Sequence, residues 1–345
     1  MMEEKQNGTT ADYVVAVLRR ENGYVSGEEI SRRLGLSRTA VHTAVKSLRA
    51  QGYCIRSVTN RGYYLESAPD LLTMGELAAL LPSDRMAHIR VLAEVDSTNR
   101  YLRDWAQDGA PDGAVVIADA QTAGRGRLGR RFESPAGCSV YLSVLMRPQA
   151  AASVAGITAW TAVAVRRAVM RSLQSFDHVC VPQIKWVNDL ILGGKKVCGI
   201  LTELAIEAET GHIQSVVTGI GVNVNALPEQ FAPELRAKAG SLREAAGAPV
   251  PRAAFAAALV EELDRMRADY PDKQDEYWAE YRAACATLGQ TVLVRRCAQG
   301  ESSEPLPEAR ALDITEDFGL RVRWADGREE VLSSGEVSLK PASRA

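Results

Sequence analysis

The stretch GRGRLGR, residues 124–130, decides between two kinds of fold for the middle of this chain. Its glycines have the G-x-G-x-x-G spacing of a dinucleotide-binding turn, which should open a helix and be followed by an acidic residue about 20 residues later. Neither condition is met, because Pro135 and Gly137 disfavour a helix and no acidic residue lies between Glu133 and Asp177. The sequence therefore predicts a glycine-hinged basic loop that joins two strands. These strands are predicted at Ala114–Ala118 and Val140–Met146.

The arginines of this loop, Arg125, Arg127, Arg130 and Arg131, suit the binding of an anion. Glycines allow a backbone to fold closely over a ligand, and arginines bind phosphate or carboxylate through paired hydrogen bonds. Because four neighbouring positive charges repel one another, we expect the loop to be mobile until an anion binds. The alternative is a solvated surface loop without a ligand.

The composition is that of an ordinary globular protein, with 345 residues, 46% hydrophobic and 24% charged, which is room for two or three domains. Residues 1–68 carry 10 Lys and Arg against 7 Asp and Glu, whereas the rest carries 31 against 36. A basic head on an acidic body indicates a polyanionic partner for the head alone.

The cysteines and the apolar stretches argue against a zinc-binding protein and against a membrane protein. The six cysteines form no C-x-x-C pair and do not cluster with the four histidines, which argues against a structural zinc site. Scattered cysteines without a signal peptide suit a reducing cytoplasm. The most apolar stretch, Ala150–Val165, is rich in Ala, Ser and Thr and predicts a buried helix rather than a membrane span.

The first 68 residues predict a winged helix-turn-helix. Apolar residues recur at helical spacing from Asp12 to Glu21, Ser26-Gly-Glu-Glu29 has the capping-box pattern of a second helix, and Ser37 can cap a third helix. Two β-like runs around Asn60-Arg61-Gly62 then predict a hairpin wing. Helix, short glycine turn, helix and wing together are typical of a DNA-binding domain.

The third helix carries the side chains that suit DNA contacts in a major groove. They are Ser37, Arg38, Thr39, His42, Thr43 and Lys46. From Ser26 to Leu65 there are seven Lys and Arg against two acidic residues. The alternative is a helical hairpin that contacts another protein.

Further motifs lie on both sides of the basic loop, in a fixed order. They are Ser97-Thr-Asn99 before the loop, Gln121 at its start, and after it Lys185-Trp-Val-Asn-Asp189, Lys196-x-x-Gly199-Ile-Leu and Gly219-Ile-Gly-Val-Asn223. Alone, each motif also allows a purely structural interpretation: Lys185 could be a strand-edge residue that reaches solvent, and Asn188 and Asp189 could be turn residues. Together, and with the C-terminal run Ser334–Lys340, they resemble the biotin protein ligases, and with the head they resemble the bifunctional ligase and biotin-operon repressors.

The resemblance implies an α+β architecture in three parts. These are a winged helix-turn-helix domain at residues 1–68, a central α/β catalytic domain with a mixed sheet at 69–285, and a small β-barrel at 286–345. Short β-like runs after Ala286 and the turn at Asp326-Gly327 agree with the last of these. For the barrel, packing against the catalytic domain and assistance in binding nucleotide or acceptor stay equally open.

The activity that the resemblance implies has two steps. Biotin and ATP give biotinyl-5′-AMP and pyrophosphate with Mg²⁺, and the adenylate then acylates a lysine of a biotin carboxyl carrier protein. The implied repressor function requires operator DNA of biotin genes and a homodimer that forms when adenylate is bound.

The resemblance also implies a role for each site residue. The biotin-binding residues would be Ser97, Thr98, Asn99, Gln121, Arg125, Gly126, Arg127 and Lys185. The residues at ATP or the adenylate would be Arg125, Arg127, Arg130, Phe132, Lys185 and Asn188. Lys185 would stabilise the transition state, with Arg127 as the phosphate clamp. Asp189 would orient Lys185 or accept a proton from the incoming lysine.

Two positions depart from the family pattern. Phe132 stands where the family usually has tryptophan, so it would offer a smaller ring to adenine, and Val187 replaces the usual proline. Three alternatives stay open at this point: a regulator that senses ligand without catalysis, a ligase with a vestigial head, and a lipoate ligase, which shares the fold.

Overall fold

The computed structural model describes residues 8–148, 154–177, 180–206, 213–295 and 306–339. Within these ranges the helices and strands are organised around three sheets, of two, seven and five strands. None of the helices in these ranges is long and apolar enough to cross a membrane.

The head is the expected winged helix-turn-helix. Its elements are α1 (Thr10–Arg20), α2 (Gly27–Leu34), α3 (Arg38–Ala50), β1 (Cys54–Val58) and β2 (Gly62–Ser67). Ser26 and Ser37 each accept a hydrogen bond from the backbone three residues on, so both predicted caps start helices. The wing closes on Gly62 at a φ of 103°, and a Cβ there would lie 2.1 Å from the Val25 carbonyl oxygen, so only glycine fits.

The central part is a seven-stranded mixed sheet with helices on both faces. Its elements are α4 (Met74–Leu80), α5 (Ser83–Met86), β3 (Ile89–Val95), α6 (Thr98–Gln107), β4 (Val115–Gln121), β5 (Val140–Met146), α7 (Val154–Leu173), β6 (Gln183–Lys185), β7 (Asp189–Leu192), β8 (Lys195–Ile206), β9 (Ile213–Val222), α8 (Leu242–Ala246), α9 (Arg252–Asp269) and α10 (Gln274–Ala284). Among the described residues the strand order is β3-β4-β5-β9-β8-β7-β6, and β3–β4 is the only parallel pair of neighbouring strands.

The two faces of this sheet are covered differently. On one face α7 and α9 bury the main apolar core, with Trp160 stacked on Tyr277 of α10 at a ring-centre distance of 3.8 Å. On the other face α6 covers only one end, through a smaller cluster that includes Leu102 and Val217. The rest of that second face is left for the basic loop and the predicted site.

The predicted loop and buried helix are confirmed with adjusted bounds. The basic loop joins β4 to β5 and contains a short 3-10 turn at Arg127–Gly129, in which Leu128 has a φ of 57°. The helix predicted at Ala150–Val165 is α7, which runs on to Leu173. Residues 150–153 of that prediction lie outside the described residues.

The C-terminal part is an antiparallel sheet, and the barrel prediction needs correction. Its strands are β10 (Thr291–Arg295), β11 (Glu308–Ile314), β12 (Leu320–Trp324), β13 (Glu329–Leu332) and β14 (Glu336–Leu339). In the described residues their order is β13-β12-β11-β10-β14, and no ladder joins β13 to β14. The physical reason is that a neighbouring element covers the sheet: Tyr281 of α10 packs edge-on against Phe318, so the sheet buries apolar surface without closing.

Candidate ligase site

A row of residues crosses the open face of the large sheet. Lys185 pairs with Asp189, Asp189 with Gly199, Gly199 with Gly221 and Gly221 with Tyr141. Residues opposite each other in antiparallel strands present their side chains on the same face. Four strand spacings of about 4.8 Å make this row roughly 19 Å long. Lys185 forms its charged end, and Gly199 and Gly221 stand in the middle.

The second row lies beside the first on the same face. It contains Ser143, Gly219 and Leu201, which are paired in turn. The Asn99 side chain lies over Gly219, since a Cβ there would be 2.3 Å from Asn99 Oδ1. The glycines of the two rows therefore form a depression in the sheet, because side chains from other elements occupy the space above them.

Phe132 of the basic loop lies in this depression. A Cβ on Gly221 would be 2.6 Å from Cε1 of the Phe132 ring, and a Cβ on Gly199 would be 3.5 Å from Cε2. The ring also meets Tyr141 edge-on at 6.4 Å. The aromatic residue expected beside adenine is thus on the open face, next to the row that ends at Lys185.

The charged end holds one carboxylate between two amines. Lys185 Nζ lies 3.8 Å from Asp189 Oδ2 and Lys196 Nζ lies 2.6 Å from Asp189 Oδ1. Oδ1 is buried and forms an ion pair without the angles of a hydrogen bond. Because the Asp189 side chain is only 14% exposed, both lysines are held at the sheet by the same negative charge.

Arg127 connects the loop to two other parts of the chain. Nη1 donates to Asn188 Oδ1 at 3.0 Å, and Nη2 donates to the Gly335 carbonyl oxygen at 2.7 Å, just before β14. Asn188 in turn donates through Nδ2 to the Ile200 carbonyl oxygen at 3.0 Å. The loop arginine, the Lys-Trp-Val-Asn-Asp segment and the C-terminal sheet therefore meet at one point.

The C-terminal sheet also holds the residue next to Lys185. Trp186 is buried, its backbone N–H donates to Thr287 Oγ1 at 3.0 Å, and its Nε1 donates to the Phe318 carbonyl oxygen at 2.9 Å. The peptide bond between Trp186 and Val187 is cis. These contacts show that the C-terminal part packs against the site and positions its backbone.

The start of α6 holds the polar side chains that were predicted to bind biotin. Gln121 Oε1 accepts from the Thr98 backbone N–H at 2.9 Å and from Thr98 Oγ1 at 3.1 Å, and Gln121 Nε2 donates to Ser134 Oγ at 3.0 Å. Ser97, Thr98 and Asn99 are all about 4% exposed. Sequence motifs 23 residues apart are thus in direct contact.

The remaining predicted residues lie at the surface. Arg125 and Arg130 are exposed on the loop, and Gly126 donates through its backbone N–H to the Arg130 carbonyl oxygen at 2.7 Å. Two buried or half-buried polar residues at the site carried no role in the sequence analysis, namely Ser143 and Glu203. Glu203 follows Gly199 by four residues on the same strand. Because side chains alternate between the two faces of a strand, this even separation is the signal that could have placed Glu203 on the same face as Gly199.

On the head, the predicted DNA-contact side chains share one side of α3. Arg38, Thr39, His42 and Lys46 are exposed, opposite the buried Val41, Val45 and Leu48. Ser37 is exposed too, and its hydroxyl accepts from the Ala40 backbone N–H at 3.1 Å. In the wing, the Arg61 guanidinium lies 4.4 Å from the centre of the Tyr24 ring.

Comparison with known proteins places these features in a family. Residues 91–223 match the Biotin/lipoate A/B protein ligase family, and residues 10–64 match an HTH domain. The Bifunctional ligase/repressor BirA of Bacillus subtilis is 37% identical over 253 residues, which cover 72% of this chain and 75% of that protein. The Biotin--[acetyl-CoA-carboxylase] ligase of Mycobacterium tuberculosis is 33% identical over 72% of this chain and 87% of that protein.

A solved structure agrees with the sequence relatives. The biotin protein ligase from Aquifex aeolicus in complex with biotin and ATP superposes with a TM-score of 0.61 at 26% identity, over 73% of this chain and 98% of that one. The order of the motifs, the topology of the sheet and the sequence relatives all indicate the same family. The chain belongs to the biotin protein ligases of the Biotin/lipoate A/B protein ligase family.

Proposed function

We propose that this chain is an ATP-dependent biotin protein ligase and a biotin-responsive transcriptional repressor. The observation that carries the ligase function is the row from Lys185 to Tyr141, with its two central glycines, beneath a loop that carries Phe132 and Arg127. An extended ligand with an anionic centre fits along such a row, because the glycines let the Phe132 ring lie low against the sheet and the cations offset the charge of the ligand. The residues 1–68, 69–285 and 286–345 would act as the DNA-binding, catalytic and supporting domains.

In the first step the biotin carboxylate attacks the α-phosphate of ATP, and pyrophosphate leaves. Two anionic groups must approach each other, so fixed positive charges lower the barrier. Lys185, at the end of the row, supplies one such charge, and Arg127 supplies another from the loop. Biotin would lie over the second row, where Ser97, Thr98, Asn99 and Gln121 offer buried hydrogen-bonding groups. ATP would extend from the charged end, near Asn188, towards Phe132 over the glycines, with Arg125, Gly126 and Arg130 in the covering loop.

In the second step a lysine amine of a carrier protein attacks the acyl carbon of the adenylate, and AMP leaves. Asp189 had two candidate roles in this scheme. Its contacts with Lys185 and Lys196 favour the role that orients Lys185, since the carboxylate lies between the two ammonium groups.

The Mg²⁺ that the family resemblance implies would be bound mainly by the nucleotide rather than by protein side chains. Across the described ranges no group of three or more His, Cys, Asp and Glu side chains is arranged to hold a metal ion. Asp189 is engaged by two lysines. Phosphate oxygens would therefore provide most of the ligands, as is common for Mg²⁺ in nucleotide sites.

The decisive experiment is biotin-dependent ATP–pyrophosphate exchange with Lys185→Ala. Removing one cation from the reacting phosphate should slow exchange by roughly 10²- to 10³-fold. Lys195→Ala is the matched control, because Lys195 lies on β8 of the same sheet, separated from β6 by β7, and pairs with Glu244 rather than with Asp189. Near-normal exchange by a folded Lys185→Ala protein would refute the assignment, and exchange with lipoate in place of biotin would favour a lipoate ligase.

The repressor function rests on a different observation, the exposed basic side of α3 together with the wing. We infer that the head binds operator DNA as a homodimer, since one copy contacts only one half-site. Adenylate in the site would promote the dimer, and unmodified carrier protein would consume the adenylate and relieve repression. The alternative, a ligase with a vestigial head, predicts no operator binding in any ligand state. The cytoplasmic location stays a prediction from the cysteines.

A further inference from the structure

Glu203 touches the site without lying on the ligand row itself. It stands on β8 two residues beyond Leu201, on the same face, and its side chain is 23% exposed. Its partners are two residues of α6 spaced one helical turn apart. Oε2 accepts from Asn99 Nδ2 at 2.8 Å, and Oε1 lies 3.4 Å from Arg103 Nη1.

These contacts determine which way the Asn99 amide faces. Nδ2 meets two groups that can only accept, the Glu203 carboxylate and the Leu201 carbonyl oxygen at 3.3 Å. An ionised carboxylate has no proton to donate, so the NH₂ group must face it. Oδ1 is thereby turned towards Ser143 Oγ, 2.6 Å away.

The orientation continues through Ser143 to Thr98. Ser143 is fully buried, and its Oγ lies 2.6 Å from Asn99 Oδ1 and 2.8 Å from Thr98 Oγ1. Its single proton is directed to Asn99 Oδ1, because that oxygen can only accept. Thr98 Oγ1 must then direct its own proton to Ser143 Oγ or to Gln121 Oε1, 3.1 Å away.

We propose that Glu203 is a positioning residue that fixes the donor and acceptor pattern of the biotin pocket through Asn99, Ser143 and Thr98. The inference rests on the proposed function and deepens it. A cyclic urea presents both N–H donors and a carbonyl acceptor, so it is recognised only if the hydroxyl and amide groups around it have fixed directions. Without Glu203 the Asn99 amide can rotate, and the Ser143 hydroxyl proton, which contacts both Asn99 and Thr98, loses its fixed direction.

The test measures the KM for biotin and the KM for ATP separately in pyrophosphate exchange. Glu203→Ala should raise the KM for biotin roughly 10- to 100-fold and leave the KM for ATP and kcat within about threefold. Glu203→Gln keeps an oxygen acceptor for Asn99 Nδ2 and should recover most of the biotin affinity. Arg103→Met is the matched control, because it removes the other partner of Glu203 and leaves the contact with Asn99.

A double variant separates positioning from general support of the fold. If the side chains act as one network, Glu203→Ala combined with Ser143→Ala should raise the KM for biotin little more than the larger single change. Additive effects, an unchanged KM for biotin, or equal losses in kcat and both KM values would each overturn the inference.

Direct binding of biotin, measured by calorimetry on the full chain, keeps this inference distinct from the proposed function. Unaltered protein that does not bind biotin would overturn both. Unaltered protein that binds biotin, together with a Glu203→Ala variant that binds it equally well, would overturn the positioning role alone.

Discussion

At the scale of single residues, Arg127 is the part of the loop whose contacts bear on retention of the adenylate. It is held by Asn188 and by the Gly335 carbonyl oxygen, so its guanidinium is kept over the charged end of the row. Arg127→Ala should loosen the adenylate more than it slows adenylate formation. A charge-assisted contact of about 1.5–3 kcal/mol corresponds to a roughly 10- to 150-fold faster release.

The measurement for Arg127 is the lifetime of adenylate formed in a single turnover. Arg131→Ala removes the same charge from an exposed position in the same loop and should leave this lifetime nearly unchanged. Released adenylate is a mixed anhydride, so Arg127→Ala should also label lysines of a bystander protein. A lifetime equal to that of the unaltered protein would show that Arg127 is not the clamp.

At the scale of elements, the contact between α1 and α4 determines how the head meets the catalytic part. Arg19 forms an ion pair of 2.7 Å with the buried Glu76, and Asp12 Oδ1 accepts from the Gly75 backbone N–H at 2.9 Å. Gly75 permits this approach, because a Cβ there would lie 2.5 Å from Val15 Cγ1 and 2.6 Å from the Asp12 carbonyl oxygen.

Gly75→Ala should therefore force the two helices apart. Alanine gains up to about 1 kcal/mol in helix propensity, but overpacking against backbone costs about 1–3 kcal/mol, so the net effect is destabilising. Urea unfolding of the full chain measures it. Gly23→Ala is the control, since nothing lies within 4 Å of a Cβ at Gly23, and equal stability of the two variants would contradict the packing argument.

At the scale of the whole molecule, one buried arginine connects the linker to the region of the loop. Arg252 is 1% exposed and donates through Nε to Asp70 Oδ2 at 3.0 Å, while Nη1 pairs with Asp119 of β4. Asp119 also accepts from the Gly137 backbone N–H, at the far end of the loop. Burial alone would lower the pKa of Arg252, but its hydrogen bond and charge pairing with Asp119 and Asp70 raise it above its ordinary value.

The prediction at this scale joins the ligand to DNA binding. Biotin plus ATP should tighten binding to the upstream DNA of the protein's own biotin genes, because a dimer doubles the number of phosphate contacts. The affinity should fall steeply with salt, since each contact releases a counterion. Gel-shift titration with and without biotin and ATP, at two salt concentrations, measures both effects.

Lys185→Ala sharpens this experiment. The variant should not respond to biotin plus ATP but should respond to adenylate supplied ready-made, at a higher concentration than the unaltered protein needs, because synthesis is removed and one contact with the adenylate is lost. Lys46→Ala should weaken DNA binding in every ligand state, as Lys46 lies on the exposed side of α3. Equal binding with and without ligand would reject the coupling, and no binding in either state would favour a vestigial head.

The sequence by itself determined the head, the order of the motifs and the family. Ser26, Ser37 and Asn60 act within three or four residues of their own position, and such local signals are visible in a linear chain. The family resemblance implied that Thr98 and Gln121 both bind biotin, but their direct hydrogen bonds were seen only in the structure.

Only the tertiary structure decided how the strands bring distant residues together. The row from Lys185 through Gly199 and Gly221 to Tyr141 depends on four separate strand pairings. A shift of one residue in any pairing would turn the side chains to the other face. The same dependence on non-local pairing explains why Glu203, Ser143, the contact of Arg127 with Gly335 and the open C-terminal sheet were not predicted.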